Sequence, residues 1–100
     1  MEFVKACNIN EINPMKLVTL NNERILLVNL NNKIYAMDEI CSHKGAPLNE
    51  GSLQGKILTC PWHQSQFDVT TGKVLMGPAM QDVKSYAIKI EGDNVFVEVD

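Results

Sequence analysis

Short stretches of strand-forming residues, separated by turn residues, run along the whole chain. Apolar and polar residues alternate enough in residues 2–7 to predict a first strand, and residues 16–20, 56–59 and 66–69 are predicted as further short strands. Alternation with a period of two is typical of half-buried β-strands, and no stretch shows the period of an amphipathic helix. Turn signals recur along the chain. This pattern predicts an all-β sandwich or partial barrel of antiparallel sheets.

The clearest local structure is a hairpin between residues 24–30 (RILLVNL) and residues 33–38 (KIYAMD). Asn31 and Asn32 separate the two strands, and asparagine tolerates the positive φ angles that a two-residue type I′ turn requires. The hairpin leads the chain directly to Cys41.

A second hairpin is predicted at the end of the chain, with residues 91–94 (EGDN) as its turn. The first strand would place Tyr86, Ile88 and Ile90 on one face. Its partner would place alternate valines on one face. These are Val95, Val97 and Val99.

The remaining segments are predicted as connections. Residues 49–55 (NEGSLQG) have the composition of a polar turn, and a single helical turn could form within residues 49–53. Residues 70–72 form another turn, and Gly77-Pro78-Ala79 interrupts any regular element.

Length and charge exclude several classes of function. A chain of 100 residues is predicted to be a single domain, 1–100. The net charge is −3 and the sequence has no basic run, which argues against nucleic acid and anionic membrane surfaces as partners. No apolar run approaches the roughly 20 residues of a membrane span. The first residues lack the pattern of a signal peptide, so we expect a cytoplasmic protein.

Two short motifs carry candidate metal ligands. Residues 41–48 read CSHKGAPL and residues 60–63 read CPWH, and 16 residues separate His43 from Cys60. The motifs use both histidines and two of the three cysteines of the chain, and we expect the third, Cys7, to be a buried strand residue. Two thiolates and two imidazoles suit zinc or an iron–sulfur centre. Zinc fingers usually pair like ligands within a loop, whereas a mixed Cys and His pair in each loop fits a two-iron site better.

These motifs resemble the C-x-H…C-x2-H signature of the Rieske family. The resemblance covers nearly the whole chain and implies an all-β Rieske-type fold of stacked antiparallel sheets, with a two-loop cluster-binding subdomain at about residues 39–80. It implies one 2Fe–2S cluster, with Cys41 and Cys60 on one iron and His43 and His63 on the other. Replacing two thiolates by neutral imidazoles raises the reduction potential above that of all-cysteine clusters.

The resemblance also assigns residues around the cluster. Pro78 matches the proline loop that shields the cluster, and Gly45 would allow a tight loop backbone. Lys44 is either solvated or helps to dock an acidic partner. Trp62 either packs over the cluster or contributes a contact where the electron leaves.

Two departures from Rieske subunits of cytochrome bc complexes distinguish this chain. Those subunits have a disulfide between the loops, and the matching positions here are Ala46 and Trp62, so that bridge cannot form. Those subunits also have a Ser and a Tyr that donate hydrogen bonds to the cluster. The Ser is present here as Ser65, for which simple solvation is an alternative role. Phe67 replaces the Tyr, and a phenylalanine cannot donate a hydrogen bond. We therefore expect a potential in the lower part of the roughly −150 to +300 mV Rieske range.

The histidine count separates a carrier from an enzyme. Rieske oxygenases need further ligands for a mononuclear iron, and both histidines here belong to the cluster motifs. The sequence contains no G-x-G-x-x-G fingerprint, which would indicate a nicotinamide or flavin site. The predicted function is a freestanding, non-enzymatic and monomeric ferredoxin that passes electrons from a reductase to a terminal oxygenase or other acceptor. The alternatives are a small Rieske subunit of an enzyme such as assimilatory nitrite reductase and a zinc-stabilised interaction module.

Overall fold

The computed structural model describes residues 2–40, 45, 47–62, 64–77 and 81–99. Within these ranges the chain forms eleven β-strands and two single-turn 3₁₀ helices, which confirms the predicted all-β class. The strands are β1 (Glu2–Asn8), β2 (Met15–Leu20), β3 (Glu23–Leu30), β4 (Lys33–Asp38), β5 (Ser52–Gln54), β6 (Ile57–Thr59), β7 (Gln66–Asp68), β8 (Lys73–Met76), β9 (Ser85–Tyr86), β10 (Ile88–Glu91) and β11 (Asn94–Val99). The 3₁₀ helices are Ile9–Glu11 and Leu48–Glu50. No helix in this part of the chain is long and apolar enough to cross a membrane.

The strands pair into three antiparallel sheets. The first sheet has the order β1-β11-β10, the second β2-β3-β4-β9 and the third β5-β6-β7-β8. All four strands of the third sheet come between β4 and β9 along the chain. The third sheet is therefore built by the same segment that contains both cysteine–histidine motifs.

The second sheet lies between the other two, as the burial of its strand β3 demonstrates. Residues 25–28 of β3 are all fully buried, so both faces of the strand are covered. Every second side chain belongs to an apolar cluster with Val95 of the first sheet, and the others belong to a cluster with Phe67 of the third sheet. A strand covered on both faces reads as a continuous apolar run, which explains the sequence ILLV.

The predicted asparagine turn between β3 and β4 is confirmed. Asn31 and Asn32 have φ angles of 53° and 69°, and the register pairs Leu30 with Lys33. The same turn recurs at Asn21-Asn22, with φ angles of 50° and 68°, where it joins β2 to β3. That second turn was not predicted from the sequence.

Two short strands were missed. Residues 49–55, predicted as a polar turn, contain β5, and β8 follows the predicted turn at residues 70–72. Each has only three or four residues, which is too short for a convincing alternation. Both strands exist because they extend the pairing of β6 and β7, and that pairing is not visible in a local pattern.

The prediction of the C-terminal hairpin is only partly confirmed. The three valines of β11 share one face as predicted, and the structure buries that face, but the strand expected to precede the turn is divided at Ala87. Tyr86 pairs with Ala36 of the second sheet, whereas Ile88 pairs with Val97 of the first sheet. A chain that passes from one sheet to another cannot keep one face buried throughout, and Ile90 is accordingly exposed.

Tyr86 couples β9 to the carboxylates of the second sheet. Its hydroxyl lies 2.5 Å from the Asp38 carboxylate, to which it donates, and 3.4 Å from that of Glu23. Burial and the two carboxylates raise the pKa of Tyr86 well above its usual range. The folded state therefore keeps a proton that the unfolded chain loses above about pH 10. Stability conferred by this proton is complete below that pH and declines as the pH rises above it.

We expect Tyr86→Phe to flatten the alkaline loss of stability. The wild type should lose up to about 1.4 kcal/mol of unfolding free energy per pH unit above about pH 10 from this one group, and the variant should not. Urea denaturation across that range measures the slope. Tyr35→Phe, the same change at the other tyrosine of the chain, controls for loss of a phenol. Equal slopes in wild type and Tyr86→Phe would contradict the assignment.

Candidate metal centre

The described residues on either side of positions 41–46 are held together by backbone contacts. Ile40 and Pro47 form an isolated antiparallel bridge, and the backbone N–H of Leu48 donates to the carbonyl of Glu39 at 2.8 Å. Positions 41–46 between these contacts are here named the first loop. The predicted ligands Cys41 and His43, with Lys44 and Ala46, lie outside the described residues.

Gly45 is the described residue inside the first loop. It is exposed and has a φ angle of +74°, a left-handed backbone conformation that favours glycine. An added Cβ would lie 3.8 Å from the side chain of Ile40. The predicted requirement for glycine at this position is therefore one of backbone conformation rather than of space.

The second motif, residues 60–63, belongs to residues 60–65, here named the second loop, which is closed at its base. Thr59 of β6 pairs with Gln66 of β7, and the N–H of Cys60 donates to the carbonyl of Ser65 at 2.7 Å. Gln64 has a φ angle of 61°, which is uncommon for a residue other than glycine. His63 lies outside the described residues.

Cys60 is a buried cysteine at the base of the second loop. It is 2% exposed and shares an apolar cluster with Leu48, Leu58 and Phe67. Soft metals such as iron in iron–sulfur clusters prefer thiolate ligands, and a site shielded from water suits such a cluster. The donor atom and its surroundings therefore fit the predicted cofactor.

Ser65 and Phe67 follow Cys60 and are both fully buried. Simple solvation, the alternative considered for Ser65, is therefore wrong. Phe67 lies in the same apolar cluster as Cys60, and its ring offers no hydrogen-bond donor.

The structure brings the bases of the two loops together. Leu48, just after the first loop, is in the same apolar cluster as Cys60. Gly51 approaches the second loop so closely that an added Cβ would lie 2.2 Å from the carbonyl oxygen of Thr59, the residue before Cys60. Two motifs that are distant in sequence are thus adjacent at their bases.

Large apolar side chains are exposed beside the loops. Trp62 in the second loop is 50% exposed, so packing can cover only part of its ring. Ile40, next to the first loop, and Met76 at the end of β8 are also exposed. Exposed apolar groups of this size often mark contact surfaces, which favours the contact role considered for Trp62. The predicted shielding residue Pro78 lies outside the described residues.

Sequence reasoning missed Arg24 and Glu39. The Arg24 Nε donates to the Glu39 Oε1 at 3.0 Å, and the Glu39 side chain is fully buried two residues before Cys41. A signal was available, because a two-residue turn at Asn31-Asn32 fixes the hairpin register and counting outward places Arg24 opposite Glu39. The role of Gly51 had no comparable signal, because it depends on contact between sheet strands and a loop base.

The all-β fold of three sheets places a buried thiol where the bases of the two loops meet. The Rieske [2Fe-2S] domain model matches residues 2–87, and the chain belongs to this family. That finding confirms the predicted family and establishes a domain type that implies a 2Fe–2S cluster.

The relatives that match this chain include ferredoxin components of dioxygenase systems. The chain is 39% identical over 82 residues to the ferredoxin component of the naphthalene 1,2-dioxygenase system of Pseudomonas aeruginosa, which covers 82% of this chain and 79% of the relative. It is 33% identical over 101 residues to the biphenyl dioxygenase ferredoxin subunit of Pseudomonas sp. (strain KKS102), covering 98% and 93%. The predicted class, an electron carrier that is not itself an enzyme, is confirmed by these relatives.

Solved structures agree on the fold. The ferredoxin of Sphingomonas yanoikuyae B1 superposes with a TM-score of 0.93 at 24% identity, covering 99% of this chain and all of that one (100%). The ferredoxin of carbazole 1,9a-dioxygenase from Nocardioides aromaticivorans IC177 gives 0.91, also at 24% identity, covering 97% of each chain. At this level of identity the likeness establishes the Rieske-type architecture alone.

Proposed function

We propose that this chain carries single electrons from a reductase to a terminal dioxygenase through one 2Fe–2S cluster bound by Cys41, His43, Cys60 and His63. The observation that carries the proposal is the buried Cys60 thiol at the junction of the two loop bases, in a chain of the Rieske family. The relatives named as dioxygenase ferredoxin components support the choice of acceptor.

The four proposed ligands and the apolar residues around Cys60 have different roles in this proposal. Cys41 and Cys60 bind one iron and the histidines bind the other. The cluster, when bound, supplies a site that accepts and releases one electron. The buried apolar cluster around Cys60 excludes water from the thiolate side, which limits solvent stabilisation of charge there.

We place the partner-facing surface at the second loop. Trp62 supplies exposed apolar area there, and Lys44 in the first loop supplies a charge that an acidic patch would complement. We further propose a monomer in the cytoplasm, in which Gly45 and Pro78 maintain the shape of the loops around the cluster. A solved structure of the complex of reduced oxygenase and oxidized ferredoxin in carbazole 1,9a-dioxygenase contains a chain of this fold, which supports an oxygenase as the partner.

The cluster assignment is tested on purified, reduced protein. We expect about two irons and two sulfides per chain and a visible spectrum that bleaches on reduction. Pulsed electron paramagnetic resonance should detect nitrogen coupling from two imidazoles. A colourless zinc protein, or a cluster without nitrogen coupling, would overturn the assignment.

The acceptor is tested separately by stopped-flow mixing of the reduced protein with a dioxygenase and, in parallel, with an assimilatory nitrite reductase catalytic subunit. We expect reoxidation by the dioxygenase. Reoxidation by the nitrite reductase subunit alone would favour the alternative of an enzyme subunit.

Phe67→Tyr should raise the midpoint potential. The added hydroxyl enters an apolar environment next to Cys60, where an unsatisfied donor is costly, so it should donate to an acceptor of the cluster site and favour the reduced state. A bond that is about 1.4 kcal/mol stronger in the reduced state raises the potential by about 60 mV. Protein-film voltammetry measures this shift, with Phe67→Leu as the control for altered packing. An unchanged potential in the tyrosine variant would mean that its hydroxyl does not reach the cluster site.

A further inference from the structure

Arg24 and Glu39 form an ion pair at the open end of the β3–β4 hairpin. The Arg24 side chain is 51% exposed, whereas that of Glu39 is fully buried (0%). The backbone N–H of Glu39 also donates to the carbonyl of Arg24 at 3.1 Å, so the two residues face each other across the strands. The pair therefore presents one solvated charge and one charge that has lost its water.

Glu39 contacts both ends of the first loop. It precedes the loop, its carbonyl accepts from the N–H of Leu48 at 2.8 Å, and its Oε2 accepts from the N–H of Asn49 at 3.4 Å. One residue thus ties the strand that enters the loop to the 3₁₀ helix that leaves it. Arg24 holds the carboxylate in the orientation that makes the contact with Asn49 possible.

The pair also sets the local charge. Glu39 is two residues before Cys41, and two residues of chain span at most about 7 Å. A buried carboxylate at that range opposes the addition of an electron, and Arg24 offsets this effect. Because Arg24 is half exposed, water can solvate it alone, but a buried Glu39 without Arg24 has no equivalent compensation.

We propose that Arg24 and Glu39 are positioning residues that fix the base of the first loop and tune the reduction potential of the bound cluster. This inference rests on the proposed function, because Cys41 and His43 act as ligands in it. It assigns a redox effect to two residues that do not touch the cluster.

The test compares midpoint potentials of the cluster-loaded protein by voltammetry. Arg24→Met should lower the potential, with the equilibrium constant for reduction falling on the order of tenfold, as expected for a unit charge at about 10 Å and an effective dielectric constant near 20. Glu39→Gln should raise the potential by at least as much, because its buried carboxylate is screened less by water than the half-exposed arginine. The double variant should lie between the two single variants, and Arg24→Lys should restore most of the Arg24→Met shift.

Hydrogen exchange of the loaded protein supplies a second readout. The amides of Leu48 and Asn49 should exchange roughly tenfold faster in Arg24→Met than in the wild type, the factor that corresponds to about 1.4 kcal/mol. Lys89→Met is the matched control, because it removes the cation of the surface pair with Glu91 at 3.2 Å on the first sheet. It should change neither the potential nor these two amides.

The outcomes separate the two proposals. A wild type without a histidine-ligated two-iron cluster overturns the proposed function. If the wild type binds that cluster but the Arg24 and Glu39 variants shift the potential no more than Lys89→Met does, this inference alone is overturned. Loss of stability with an unchanged potential would identify the pair as a structural contact only. If the Arg24→Met protein does not incorporate the cluster, the raised potential of Glu39→Gln and its return toward the wild-type value in the double variant still test the inference.

Discussion

Replacing Cys60 with alanine should abolish the cluster, whereas the same replacement at Cys7 should leave it intact. Both thiols are buried, at 2% and 6% exposure, and both belong to apolar clusters. The packing cost of the two variants should therefore be similar, about 1 kcal/mol. The difference between them isolates the role of Cys60 as a ligand.

The two cysteines differ in chemistry as well as in place. Burial, with a further contribution from the Glu11 carboxylate, raises the pKa of the Cys7 thiol, so it stays neutral and a poor metal ligand. Cys60 lies instead at the base of the second loop, next to the end of the first.

Iron content and the visible spectrum measure the outcome. Loss of a ligand should exceed the roughly 10–100-fold loss of metal affinity that is typical of residues behind the ligands. The Cys60→Ala protein should also lose the thermal stabilisation that cluster binding gives to the wild type. Retention of a wild-type spectrum in Cys60→Ala, or its loss in Cys7→Ala, would contradict the assignment.

Local signals predicted the parts of the fold that depend on neighbouring residues. Asn31-Asn32 determined a hairpin and its register, and the alternating valines of β11 identified a buried face. The division at Ala87 was not predictable, because alternation shows that a residue is buried but not which sheet buries it. The short strands β5 and β8 depend in the same way on partners supplied by β6 and β7.

The candidate site likewise contains residues that local motifs predicted and residues that depend on contacts across the fold. The spacing of the two motifs identified Cys60 and its loop, and the four-ligand set stays a prediction. Residues that shape the loop bases were missed, since their roles arise from contacts across the fold. Glu39 could have been found by extending the hairpin register, whereas nothing in residues 49–55 indicates that Gly51 touches Thr59.

Replacing Gly51 with alanine should be among the most damaging single changes in the chain. Its φ angle of −78° suits any residue, so the damage would come from space alone. The added Cβ would lie 2.2 Å from the carbonyl oxygen of Thr59, and a backbone atom cannot rotate away as a side chain can. Overpacking typically costs about 1–3 kcal/mol, and we expect a loss at or above the top of that range.

The same displacement should impair cluster binding, because Thr59 precedes Cys60 and Gly51 follows the first loop. Gly55→Ala is the matched control. Gly55 has a φ angle of +58° and no heavy atom within 4 Å of an added Cβ, so alanine there should cost only about 1–2 kcal/mol of backbone strain. Urea denaturation and iron content should be measured for both variants. If Gly51→Ala loses no more stability than Gly55→Ala and binds iron at the wild-type level, the contact between Gly51 and Thr59 does not hold the loop bases together.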